Sequence, residues 1–179
     1  MPKSLSYFKG VFSKLLGNKA SFLPPELLKS YVNSFLTRKE VLIESANRFG
    51  TPQYFFDEPA LAKSLSTFHA TFSAHLNRFR IFYAVKSNSY PGLCKHVSDS
   101  GHGLDVSSGV ELTMALSLGC RAILFSGPAK TETELSLAIQ NREKVTLLMD
   151  SAVELEKVAG LVQNSDLGDV PLKVGFRIR

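Results

Sequence analysis

The chain has 179 residues, 44% apolar and 21% charged, which describes an ordinary soluble chain long enough to bury one core. It falls short of the about 250 residues typical of a complete α/β barrel. The net charge of +5 sits in residues 1–50, with eight basic and three acidic side chains, leaving thirteen of each in the remainder, so no basic stripe offers a nucleic-acid surface.

Cys94 and Cys120 lie 26 residues apart without a secretory segment, which argues against a disulfide framework and for a reducing compartment. Lys9 and Lys14 interrupt the apolar residues of the N-terminal stretch, leaving neither a signal-peptide core nor a membrane span. The expected location is cytoplasmic.

Residues 1–50 read as a helical extension. Tyr7, Phe8, Val11, Phe12, Leu15 and Leu16 recur at helical spacing, an arm that packs on its own protein or a partner subunit rather than on a membrane. Pro24 and Pro25 start a second helix, with Leu27, Leu28, Tyr31, Val32, Phe35 and Leu36 on its apolar side. Gly50 and Pro52 close the extension.

Residues 51–179 change rhythm. A short strand is expected over residues 53–57, with Asp57, Glu58 and Pro59 starting a helix whose face carries Leu61, Leu65, Phe68, Phe72 and Leu76. Strands follow over residues 80–88, 103–108, 122–127, 145–150 and 171–179. Helices between them start near Pro91, carry Val110, Met114 and Leu118, begin at a Thr131–Glu134 capping box, and bear Val153, Leu155, Val158 and Val162. Strands spaced 19 to 27 residues apart with helices between them imply a parallel sheet in an α/β fold. No GxGxxG follows a strand, so a partial (β/α)8 barrel of about five barrel strands is expected over a dinucleotide-binding unit.

Candidate chemistry begins at IFYAVK, where Lys86 ends an apolar strand and shares a face with Phe82 and Ala84. An amine at the C-terminal end of a barrel strand lies where catalytic residues gather, and partial desolvation there favours the neutral form that attacks a carbonyl. In GLDVSS, Asp105 lies between Leu104 and Val106, where a carboxylate is costly unless a cation faces it, and Lys86 ends the neighbouring strand. In the last strand Lys173, Gly175, Arg177 and Arg179 share one face, suited to an anionic or polar ligand. His69, His75, His96 and His102 lack metal-ligand spacing, Cys94 and Cys120 read as core residues, and Ser107 and Ser108 read as a helix cap. No metal is expected.

YAVKSNSYP, GHGLDVSSGVEL, ILFSGPAKTETEL, MDSAVELEKV and VGFRIR together resemble, in order, signatures of the ornithine, diaminopimelate and arginine decarboxylases, fold type III pyridoxal-phosphate enzymes similar in their barrel to alanine racemase. The resemblance covers residues 40–179 and implies pyridoxal 5'-phosphate as cofactor, with Lys86 as its tether. It further implies that Asp105 and Glu111 are the acidic groups beside that lysine and its arginine, and that Arg177 is the arginine of the fifth barrel strand. The implied reaction is decarboxylation of a basic or diamino acid of the diaminopimelate, ornithine, lysine or arginine type, in a homodimer when full length.

The family's phosphate-binding glycine loop, ring-stacking histidine and C-terminal β domain lie beyond the matching strand. An N-terminal portion, inactive alone, is therefore expected. The alternatives are a non-catalytic barrel relative serving as a binding or regulatory module, and an amino-acid racemase.

Overall fold

The computed structural model describes residues 24–163 and 170–178, together with Gly10 and Lys14. Tyr7, Phe8, Val11, Phe12, Leu15 and Leu16, on which the first expected helix rests, lie outside the described residues, as does Arg179. The chain divides into two compact units, Met1–Phe55 and Phe56–Arg179.

In the first unit, α1 spans Pro25–Leu36 and α2 spans Lys39–Phe49. Pro25 stands at the first position of α1, where its missing N–H costs nothing and its fixed φ suits a helix. α2 stops at Gly50, whose φ of 80° lies in the left-handed region that a side chain disfavours. The Gln53 side chain then folds back, donating to Ser45 O at 2.9 Å while its Oε1 accepts from Ser45 Oγ at 2.7 Å.

The second unit begins with α3, Glu58–Ser73, whose N-cap Asp57 accepts from Ala60 N at 3.1 Å. Five βα steps follow in part: β1 Phe82–Ala84, α4 Pro91–Asp99, β2 Gly103–Val106, α5 Gly109–Ser117, β3 Ile123–Phe125, α6 Glu132–Gln140, β4 Val145–Met149, α7 Ala152–Gln163 and β5 Lys173–Phe176. All neighbours pair in parallel, and the sheet order is the chain order from β1 to β5. An open doubly wound sheet reverses its order at a switch point, whereas a barrel advances steadily in one direction. The expected α/β partial barrel is therefore the architecture observed.

Register assigns each side chain to a face. Leu104, Ile123 and Val145 belong to one row, and Val106, Phe125, Leu147 and Val174 to the next, with Met149 and Phe176 continuing that face beyond it. From β2 to β4 these residues are almost wholly buried against Leu112, Ala115, Leu135, Ala138, Ile139 and Val158 of the helices. The opposite face carries Ala84, Asp105, Leu124, Thr146 and Lys173 in register.

Three expectations need correction. Residues 53–57 form no strand: Tyr54 is fully exposed, Phe56 packs edge-on against Tyr90 and His96, and among the described residues no strand lies alongside to take the backbone hydrogen bonds. In α5 Val110 is 82% exposed, and in α7 Val153 is 61% exposed and Leu155 partly exposed, while Glu154 is buried between them. The strand expected over residues 80–88 pairs only through Ala84, then tightens into a single 3-10 turn, Val85–Ser87.

Candidate functional site

The C-terminal ends of β1 to β5 share one rim because parallel strands all leave the sheet on the same side. Lys86 lies in the turn directly after β1, exposed at that rim, and its neighbour Val85 is fully buried in the core, anchoring the turn. Strand alternation therefore ends at Ala84, and Lys86 owes its position to the turn. The Ser87 hydroxyl donates to Ala84 O at 2.7 Å and Tyr83 Oη donates to Asn88 O at 3.1 Å, which closes the turn.

Asp105 stands beside Ala84 in the sheet register, on the face away from the helices. Its Oδ1 is buried and without a hydrogen-bond partner, and Lys86 forms no ion pair with it. A buried carboxyl oxygen left so costs about 1–3 kcal/mol, which a polar or cationic group entering from the rim would offset. This orphaned oxygen fits a bound ligand on the open face.

The Glu111 side chain closes back on the loop after β2. Its Oε2 accepts from Ser107 N at 2.6 Å, while Ser108 Oγ accepts from Glu111 N at 3.3 Å, so carboxylate and cap together fix the loop between β2 and α5. Burial raises the Cys94 thiol pKa, and the charge of Glu111 adds to that rise, so Cys94 stays an inert core thiol.

Arg177 follows β5. Its backbone N donates to Met149 O at 2.9 Å, and its guanidinium Nη1 lies 3.9 Å from Asp150 Oδ1, with the Arg177 side chain 40% exposed. Lys86, Asp105 and Arg177 thus come to one rim of the sheet, the first after β1, the second inside β2 and the third after β5. Among the described residues no helix is long and apolar enough to cross a membrane.

Sequence reasoning missed Lys130 and Glu154. Ala129, a non-glycine residue at φ 55°, turns the loop after β3 inward, and Lys130 becomes buried with its Nζ 5.2 Å from the Phe125 ring centre. Nζ donates to Leu148 O at 2.7 Å and to Glu154 Oε2 at 3.0 Å. Glu154 also accepts from Lys130 N at 3.1 Å and from Asp150 N at 3.0 Å. Burial works to raise the Glu154 pKa, but the hydrogen bonds from Asp150 N and Lys130, with the lysine charge, outweigh it and hold the carboxyl below its ordinary value. The available signal was a lysine in a Gly-Pro-Ala turn and a glutamate between two apolar residues, which periodicity alone assigns to solvent.

His69 stacks near Phe79 and His102, with ring centres at 5.2 and 5.9 Å, on the opposite rim where the strands begin. Burial and the neighbouring His69 both lower the His102 pKa.

The model of the pyridoxal-dependent decarboxylase pyridoxal-binding domain matches residues 62–179. A diaminopimelate decarboxylase of Neisseria meningitidis serogroup B is 35% identical over 115 residues, covering 63% of this chain and 27% of that protein. One of Methanothermobacter thermautotrophicus is 28% identical over 138 residues, covering 76% and 30% respectively. The crystal structure of the M. jannaschii diaminopimelate decarboxylase in complex with L-lysine superposes with a TM-score of 0.67 at 28% identity, covering 75% of this chain and 32% of that one. The chain spans about a third of the length of these relatives. The monotone parallel sheet and the family match over both its rim residues and its core agree, and the chain belongs to the pyridoxal-dependent decarboxylase family, in its pyridoxal-binding domain.

Proposed function

We propose that this chain supplies the cofactor-lysine side of a pyridoxal-phosphate-dependent decarboxylase acting on a basic or diamino acid. The observation that carries the reading is the buried, unpartnered Asp105 Oδ1 on the open face, one strand from the turn that presents Lys86. Lys86 would hold the cofactor covalently through its amine, and its exposed position lets an incoming substrate amine reach the same point. Asp105 would set a negative charge beside that bond. Glu111 would keep the β2–α5 loop, and with it Asp105, in place, while Arg177 would offer a cation to an anionic group of cofactor or substrate. When bound, the pyridoxal group supplies an electron sink that lets an amino acid lose carbon dioxide.

A relative captured with L-lysine supports a basic substrate. The proposal keeps residues 1–50 as a helical extension and residues 51–179 as the barrel part, close to the unit boundary after Phe55. It also keeps a cytoplasmic homodimer as the working form, on the strength of the family resemblance and of two cysteines that are both free. The test is trapping: after incubation with pyridoxal phosphate and reduction with borohydride, peptide mass spectrometry should locate the cofactor on Lys86, and Lys86→Ala should abolish it. Equal trapping in the variant sinks the reading and leaves a non-catalytic binding module.

A further inference from the structure

We infer that Lys130 and Glu154 are positioning residues for Arg177, acting through Asp150. The inference rests on the reading of Arg177 as a ligand-facing group.

Arg177 is placed by two contacts with consecutive residues, its backbone N on Met149 O at 2.9 Å and its guanidinium 3.9 Å from Asp150. Those residues end β4 and start the loop to α7, a stretch that loops ordinarily leave mobile. Here it is held from behind at both sides. Lys130 Nζ takes Leu148 O at 2.7 Å, one residue before Met149, and Glu154 Oε2 takes Asp150 N at 3.0 Å. Glu154 Oε1 meanwhile takes Lys130 N at 3.1 Å, which ties the β3 loop to the β4 loop. The two side chains are 1% and 5% exposed, so water neither screens nor replaces these bonds.

A buried ion pair is weak evidence for stability, since apolar side chains of similar volume often serve as well. What apolar side chains cannot do is grip two backbone loops through a carbonyl and two amides. Glu154→Gln is the informative change because Oε2 accepts from two donors. An amide nitrogen there faces Lys130 Nζ and Asp150 N with no acceptor, and a flipped amide presents the same nitrogen to Lys130 N.

The test is a double-mutant cycle in the natural protein, with pyridoxal phosphate affinity read by its visible absorbance. Glu154→Gln should weaken binding roughly tenfold when Arg177 is present and less than twofold in an Arg177→Gln background. Hydrogen exchange should also quicken at the Arg177 amide and stay unchanged at Leu104 in β2. Equal losses in both backgrounds, or faster exchange throughout the sheet, overturn the inference and leave a purely structural pair. Arg177→Gln that binds cofactor as the unaltered protein does overturns the reading of Arg177 itself. Should Glu154→Gln not fold, Lys130→Arg, which retains the internal charge but replaces the compact ammonium on Leu148 O with a larger planar guanidinium, runs the same cycle with the same deciding outcomes.

Discussion

Lys130→Met removes a buried ammonium and leaves its partner, and the structure says how much that should cost. Breaking one side of a buried pair costs about 3–5 kcal/mol when the remaining charge is bare. Glu154 is not left bare, because Asp150 N and the backbone N of residue 130 still donate to it, at 3.0 and 3.1 Å. That places the electrostatic loss near the lower bound. Leu148 O loses its donor as well, which adds about 1 kcal/mol, while the methionine regains some contact with the Phe125 ring. The net expectation is about 3 kcal/mol, or roughly 10 °C in Tm for a chain of this size.

The same change carries a pH signature. In the unaltered chain the Glu154 carboxyl is held below its ordinary value of 4.5, so its contribution is present above that pH and is lost as pH falls through the lowered value. In the variant the lysine hydrogen bond and charge are gone and burial remains, so the carboxyl titrates higher. The deficit should be largest at about pH 7 and shrink towards about pH 4, where protonation removes the stranded charge. Urea unfolding followed by far-ultraviolet circular dichroism at both pH values measures it. A deficit under about 1 kcal/mol at pH 7, or one that does not shrink on acidification, refutes the reasoning.

Gly127→Ala should destabilise by about 1–3 kcal/mol, since a Cβ there would lie 2.0 Å from Ser107 O and 2.6 Å from Ser107 C, both backbone atoms; an unchanged Tm would contradict that close approach. Glu134→Gln should cost about 1–2 kcal/mol at neutral pH, because Glu134 accepts from Thr131 N at 2.8 Å and from Gly109 N at 2.6 Å and so joins the starts of α5 and α6. The bond from Thr131 N leads in lowering the Glu134 pKa, so its stabilisation is present above 4.5 and lost as pH falls; the variant should show a shallower acid limb in the same unfolding assay. Leu147→Ala empties a fully buried site in β4 and should cost about 2–5 kcal/mol by thermal denaturation, whereas Val110→Ala, at an 82% exposed position, should leave Tm nearly unchanged.

The order of elements, the parallel sheet and the identity of the rim residues were legible in the sequence because they depend on local periodicity and punctuation. Pro25 opens α1, Asp57 caps α3, Ser108 caps α5, and the Thr131–Glu134 box opens α6, each a property of a few consecutive side chains. Lys86, Asp105 and Arg177 were legible for a related reason: a charged group at or beside the end of an otherwise apolar strand stands out against its neighbours. Residues 53–57 misled because aromatic content favours a strand only where a second backbone offers hydrogen bonds, and that partner is a tertiary fact.

Whether Lys86 continues a strand or leaves it was likewise decided by packing, with Val85 drawn into the core and the chain tightening after Ala84. The inward turn of Lys130 shows the limit most clearly. Nothing in GPAKT distinguishes a solvated lysine from a buried one until Glu154, 24 residues later, arrives beneath it with Leu148 O alongside. Buried charge is a property of two distant segments meeting in a place water cannot reach, and a one-dimensional pattern does not contain that meeting.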